Sequence, residues 1–395
     1  MKTRVLLLFL VLLSATLAYA QSETFEYTSE HYRVLSQISD DHAEETSLKL
    51  EAMLALYNDY FRFDLDALPA RMQVRIFEGK PEFDNYLQRV LGESREDFVY
   101  LHYNDVAKSE LVGFDQDDSG FDVALKHQGF IQYFRAFIPH PPLWLREGFA
   151  VFFEEATYDE QFQAAIYREN LAWLDRLKEI LDGEFDAPPI AMADMLDLEV
   201  AEATRRIDVF YPQAWGMVSF LVNAQDREIN RILWDSLSAL EAGNSLEENV
   251  AALNREVFRW VNQDDLEAAF LDYVDSRRSF RGLVEGGMSA YEDGDLDTAE
   301  EHFVTAANLR PSNHIAPYYL GLIAYTRQNY SLADYYYEQA LDRGADEALT
   351  YYALGVNAYA DNRFDQAITY LERTIDINPE QYRERAQELL VRIES

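Results

Sequence analysis

The sequence predicts an α+β N-terminal domain, a small sheet with helices packed on it, followed by an all-α solenoid of helical repeats. Three observations carry this expectation. Short segments with alternating apolar and polar residues, such as Met72 to Phe77 (MQVRIF), occur among long amphipathic stretches only ahead of Phe121. From Tyr158 to Ser279 the pattern is almost wholly helical, and from Phe280 the chain repeats itself every 34 residues.

Taken in order, His31 to Gln37 reads as a strand and Asp40 to Phe61 as a long helix with Leu48, Met53, Leu54 and Tyr57 on its apolar face. Met72 to Phe77 is a half-buried strand, Pro81 to Leu91 a short helix, and Phe98 to Tyr103 and Glu110 to Phe114 two further strands. Phe121 to Ile138 forms a helix that Pro139, Pro141 and Pro142 terminate before another begins near Leu143. The helical region then comprises Gln161 to Leu181, Ala191 to Leu196, Ala214 to Ala224, Glu228 to Ala242, Ser245 to Leu253 and Gln263 to Ser276.

Residues 1–20 read as a secretory signal: Lys2 and Arg4, an apolar run from Val5 to Leu13, and Ala18-Tyr19-Ala20 as the cleavage site before Gln21. The run is too short to remain as an anchor, so an exported chain, periplasmic or secreted, with no membrane insertion after cleavage is expected. The sequence has no cysteine, which leaves stability to packing. Its net charge of −37 becomes −39 once Lys2 and Arg4 are removed with the signal, and so acidic a surface repels phosphate backbones. Nucleic acid is therefore not an expected partner. Asp115-Gln116-Asp117-Asp118-Ser119-Gly120 lacks the glutamate that a calcium loop places six residues past its glycine, and it is read as a turn that starts the following helix.

Two motifs carry chemistry. In a zinc helix of the pattern H-E-x-x-H, the histidines four apart share a face and bind the metal, while the glutamate takes a proton from metal-bound water. Here the five residues are His127-Gln128-Gly129-Phe130-Ile131, and the next helix opens Trp144-Leu145-Arg146-Glu147-Gly148-Phe149-Ala150. Together they resemble the peptidase-MA-like domains of the gluzincin metallopeptidases, in which W-L-x-E-G-x-A supplies the third zinc ligand. Tyr211-Pro212-Gln213-Ala214-Trp215, placed just ahead of an apolar helix from Gly216 to Val222, resembles a later motif of the same domains whose tyrosine faces the site. The resemblance covers about residues 24–278 and implies family site positions at His127, Gln128, Ile131, Glu147 and Tyr211.

This chain departs from that pattern at two of three positions of the first motif. Ile131 removes a ligand and Gln128 removes the base, so the expectation is no catalytic residue, no metal and no cofactor, with His127 hydrogen-bonded to Glu147 in an apolar pocket. His140, nine residues past the lost ligand, is a remote substitute for it.

The 34-residue period places Gly287, Gly321 and Gly355 at one position, Ala299, Ala333 and Ala367 at another, Tyr291, Tyr325 and Tyr359 at a third, and Phe303, Tyr337 and Leu371 at a fourth. This is the tetratricopeptide spacing, with three repeats over residues 280–381 and a capping helix over 382–395. Tyr318, Leu322 and Tyr325 fall at i, i+4 and i+7, as do Tyr352, Val356 and Tyr359 one repeat later, giving a candidate peptide-binding groove.

The favoured reading is an exported, non-catalytic protein- or peptide-binding scaffold, an inactive gluzincin homologue joined to tetratricopeptide repeats. The alternative is a zinc-dependent metallopeptidase of the gluzincin type with an atypical ligand set. A third reading has the repeats only stabilising the domain before them.

Overall fold

The computed structural model describes residues 23–116 and 118–395; the signal expected over residues 1–20 lies outside them, as does Asp117 in the turn before the His127 helix. The contacts divide the chain into two compact units. One holds the residues up to Pro142 together with Phe149–Glu169 and Leu240–Asn249; the other holds Leu143–Gly148, Asn170–Ala239 and Val250–Ser395. The contacts therefore place residues 170–239 and 250–278 with the repeats, a partition different from a division at Ser279.

The first unit is built on a five-stranded sheet of order β1-β2-β3-β5-β4. Its strands are β1 (Phe25–Thr28), β2 (Tyr32–Ser36), β3 (Met72–Phe77), β4 (Val99–Leu101) and β5 (Glu110–Phe114). The three central strands are parallel and both edges antiparallel. Register aligns Val34, Val74, Leu111 and Tyr100 in one row across four strands, all buried. Helices α1 (Asp40–Phe61), α2 (Lys80–Val90) and α3 (Asp118–Phe137) pack on this sheet. Ser39 caps α1 through its side chain, which accepts from the His42 N–H, and Asp40 and Asp41 in the first turn oppose the positive end of the helix dipole. Between α1, α3 and the end of α4 (Leu143–Phe153) lies an aromatic core in which Tyr57, Phe61, Phe130, Phe149 and Phe153 meet ring to ring.

Three sequence expectations are corrected here. Strand β1 was not foreseen. The stretch from Gln161 to Leu181 is not one helix: β6 (Thr157–Asp159) and β7 (Ala164–Ile166) form an antiparallel hairpin, and α5 begins only at Leu174. Phe162 and Ile166 imitate a helical face by their spacing, yet they are 72% and 52% exposed, and Gln163 between them takes the left-handed φ of a turn. Pro212 does not precede its helix but lies within it, because α8 starts at Ile207.

The second unit gathers α5 (Leu174–Leu181), α6 (Met192–Met195), α7 (Val200–Arg205), α8 (Ile207–Asn223), α9 (Arg227–Ser238), the end of α10 (Leu246–Glu256) and α11 (Gln263–Ser276). Helix α8, buried from Pro212 to Leu221, is the centre on which α5, α7, α9 and α11 pack. Three helix pairs follow: α12 (Phe280–Glu292) with α13 (Leu296–Leu309), α14 (Ile315–Thr326) with α15 (Tyr330–Asp342), and α16 (Glu347–Ala360) with α17 (Phe364–Ile377). Helix α18 (Pro379–Glu394) packs on α16 and α17, starting three residues before the expected 382.

The repeat positions named from sequence have a steric basis. A Cβ on Gly321 would stand 2.5 Å from the Tyr337 ring, and one on Gly287 or Gly355 would stand 2.9 Å from Phe303 or Leu371. The small residue and the large one are thus two halves of a single contact between paired helices. Ala299, Ala333 and Ala367 are fully buried on the second helix of each pair. Among the described residues no helix is long and apolar enough to cross a membrane.

Candidate functional site

Helix α3 presents the first motif on two adjacent faces. Gln128 and Gln132, four apart, tie the helix to the sheet: Gln128 Oε1 accepts the Tyr100 N–H of β4 at 3.2 Å, and Gln132 Nε2 donates to the Gln73 carbonyl of β3 at 2.9 Å. On the neighbouring face His127 Nδ1 meets Glu154 Oε1 at 2.7 Å, with both side chains mostly buried. Glu154, the partner at Nδ1, lies two turns beyond Glu147 in the chain. Ile131, at the second ligand position, is 6% exposed. Next to His127, Lys126 donates to the Ala156 carbonyl at 3.0 Å, and burial holds its amine below the usual lysine range.

The second motif sits on α4. Glu147 is 6% exposed, and Arg146 closes on its Oε1 with Nε at 2.7 Å and Nη2 at 2.6 Å. Tyr211 of α8 donates its hydroxyl to Oε2 at 3.4 Å and stacks its ring on Trp173. The tyrosine expected to face the site is therefore in contact with Glu147. Gly148 is what allows this approach: a Cβ there would stand 2.4 Å from the Ala214 carbonyl oxygen and 2.7 Å from Val218 Cγ2, both on α8. A cavity of about 100 Å³ beside Arg146, Glu147 and Tyr211 is lined also by Ala203, Ile207 and Phe210.

Of the family's ligand positions, one is the hydrocarbon Ile131, and the His127 Nδ1 and Glu147 carboxylate are engaged by other side chains. His140, the remote substitute, has its ring against His102 at 5.8 Å, and its carbonyl accepts from Asn249 at 2.9 Å. Among the described residues no three His, Cys, Asp or Glu side chains are grouped so as to hold a metal ion.

Sequence reasoning missed Glu154, Arg146 and Gln132 as partners. Glu154 lies seven residues past Glu147 and so on the same helical side, a spacing that marks it as a rival for His127.

In the repeats, α12, α14, α16 and α18 lie side by side, so the first helices of the pairs form one continuous face. Tyr318, Leu322, Tyr325, Tyr352, Val356 and Tyr359 all stand on this row of helices and all are half-buried. Their rings are not equivalent in surroundings. Tyr318 packs on Tyr337, and burial first, then neighbouring phenols and Asp346, push its hydroxyl up to about 12. Tyr352 lies 5.3 Å from Tyr382 of α18, so the terminal helix engages that ring. Tyr325 and Tyr359 lean on Tyr330 and Phe364, at the start of the second helix of their own repeat.

The comparisons with known proteins bear on this array. Residues 284–348 and 333–382 match the tetratricopeptide repeat family, and the C-terminal helix pairs are tetratricopeptide repeats. No curated protein matches the chain. Among solved structures, the N-terminal domain of stress-induced protein-1 from C. elegans is 19% identical, over 28% of this chain and 93% of that one, with a TM-score of 0.26. MamA 41-end from Desulfovibrio magneticus RS-1 is 19% identical over 43% of this chain and 96% of that one, with a TM-score of 0.26. A MamA RS-1 double mutant is 21% identical over 44% and 88%, with a TM-score of 0.28.

Proposed function

We propose that the chain is an exported, non-catalytic scaffold that binds a protein or peptide through its tetratricopeptide repeats. Its N-terminal part is a gluzincin-like domain that has lost its chemistry. The observation that carries the reading is the continuous face of α12, α14 and α16, on which half-buried tyrosines recur at the repeat spacing. Tetratricopeptide repeats as a class mediate contacts between proteins, and tyrosine supplies broad contact area at low entropic cost with a hydroxyl for backbone groups. The loss of catalysis rests on Ile131 and Gln128: without a third ligand and a base, neither the metal nor its water has what hydrolysis requires.

Two measurements test the proposal. An immobilised panel of random peptides should capture the mature chain, and a Tyr325→Ala, Tyr359→Ala double variant should lose that capture. Elemental analysis of the purified protein should find no stoichiometric zinc, and peptidase assays no cleavage sensitive to a chelator. Stoichiometric zinc with such cleavage would replace this reading by the metallopeptidase one. Export is checked on protein recovered from outside the cytoplasm, whose N-terminal residue should be Gln21.

A further inference from the structure

The face just described carries almost no charge. Helix α14 has no charged residue, α16 has Glu347 alone in its first turn, and α12 has Arg281, Glu285 and Glu292. Arg281, the one cation among them, is drawn to Asp175 at 3.5 Å and Glu285 at 3.8 Å. Around this neutral strip the repeats are acidic: residues 280–395 contain nine arginines, no lysine and twenty carboxylates. Asp346 lies near the hydroxyl of Tyr318, Asp346 and Arg385 both lie near that of Tyr382, and Glu292 lies near that of Tyr319.

We infer that this face takes an extended, proline-rich segment in the polyproline II conformation, with a proline at every third residue and basic residues at its flanks. The inference rests on the peptide-binding reading above and specifies its ligand.

Three features lead to it. The first is chemical: a polyproline II strand makes no hydrogen bonds within itself, so its carbonyls need outside donors, and pyrrolidine rings pack well on aromatic faces. Tyrosine provides both from one side chain. The second is spacing. Tyr291, Tyr325 and Tyr359 occupy one repeat position on successive first helices, and adjacent packed helices lie roughly 8–10 Å apart. One turn of polyproline II, three residues, advances about 9 Å, so the same side of the ligand meets the equivalent tyrosine from repeat to repeat. The third is charge. A ligand ending in a free carboxylate would find on these three helices only Arg281, already drawn to carboxylates, in an acidic surround, whereas lysine or arginine beside the proline stretch would be drawn to Glu292 and Asp346.

The test uses the full mature chain and a fluorescent dodecamer of Pro-Pro-Ala repeats ending in two lysines, with an analogue in which glycine replaces every proline. Anisotropy titration should show the proline peptide binding about tenfold tighter than the glycine analogue, whose chain must lose more entropy on ordering. Tyr325→Ala should weaken the proline peptide about tenfold, and Tyr325→Phe, which keeps the ring and the packing on Tyr330, about threefold. Tyr335→Ala, on the second helix of its repeat and 53% exposed, should change nothing. Equal binding of the two peptides, or no binding of either while other panel peptides bind in a Tyr325-dependent way, overturns this inference and leaves the scaffold reading standing. If no peptide binding depends on Tyr325, measured with Tyr325→Phe should the alanine variant not fold, both fall.

Discussion

Tyr100 donates its backbone N–H to Oε1 of Gln128, so a side chain standing at the base position of the zinc-helix pattern holds the edge strand of the sheet. An edge strand presents backbone donors that want acceptors, and an amide oxygen meets that need without adding charge. Gln128→Ala should cost about 1 kcal/mol and hasten amide exchange at Tyr100. Gln128→Glu, which keeps an acceptor oxygen, should preserve slow exchange there. Denaturant melts and exchange followed by NMR check both, and unchanged exchange in the alanine variant would remove this role from Gln128.

A second prediction concerns the crossing of α4 and α8. Gly148→Ala sets a Cβ against backbone, the Ala214 carbonyl, which has little room to yield; the loss should be about 2–3 kcal/mol in urea unfolding. Gly243→Ala is the control, because no atom lies within 4 Å of its Cβ position, and it should fall within about 0.5 kcal/mol of the parent chain. Equal stability of the two variants would show that the helices separate more readily than their packing implies.

How far the sequence could be read divides along the same lines of contact. Asp40–Phe61, Met72–Phe77, Glu110–Phe114 and Gln263–Ser276 have the bounds their patterning predicts, since each shows a clean period of its own. The repeats were legible because a fixed spacing samples one steric requirement three times, the Gly321 and Tyr337 contact and its two equivalents. The hairpin of β6 and β7 was not, because Phe162 and Ile166 share a helical spacing while remaining in solvent. At the candidate site Glu147 and Tyr211 could be paired through the motifs that contain them. The engagement of His127 Nδ1 by Glu154 could not, since it requires knowing where α4 ends.

The Glu51 carboxylate gives a pH prediction. It accepts from Ser29 Oγ at 2.6 Å and from the His31 N–H at 2.7 Å, and it meets His31 Nδ1 at 2.8 Å. Burial opposes ionisation, but these donors together hold the group below its ordinary 4.5. A depressed carboxylate contributes stability that is complete above the unfolded value and fades as pH falls through the folded one. Glu51→Gln should therefore destabilise by about 1–2 kcal/mol at pH 7, with the difference shrinking below about pH 4.5. A difference constant from pH 7 to pH 3 would assign the effect to shape rather than charge.

Repeats two and three are joined by a buried polar contact. Asn357 of α16 donates to the Tyr330 carbonyl at 2.8 Å and to Asp334 at 2.7 Å on α15, and Arg363 meets Asp334 at 2.7 Å. Asn357→Leu would leave the Tyr330 carbonyl without this donor and cost about 2 kcal/mol. Because repeat stability is a sum of units and their interfaces, the urea transition should also broaden as the neighbours uncouple. A parallel shift of midpoint with no loss of slope would mean that other contacts carry the coupling.

The two ends of the array are held differently. Before α12 the chain is fixed by α5, whose Asp175 accepts from Ser279 Oγ at 2.6 Å and whose Lys178 donates to the Arg277 carbonyl at 2.9 Å. Against α17 packs α18, with Tyr382 and Ala386 turned inward and Arg383, Glu384, Gln387 and Glu388 exposed. A stack whose members touch only their neighbours opens from whichever end is less firmly held, and α18 is the helix with the larger exposed face. Amide exchange followed helix by helix should accordingly read as a slope in time, slowest at α12 and fastest at α18, so that the array comes apart in a fixed order and closes again in the reverse one.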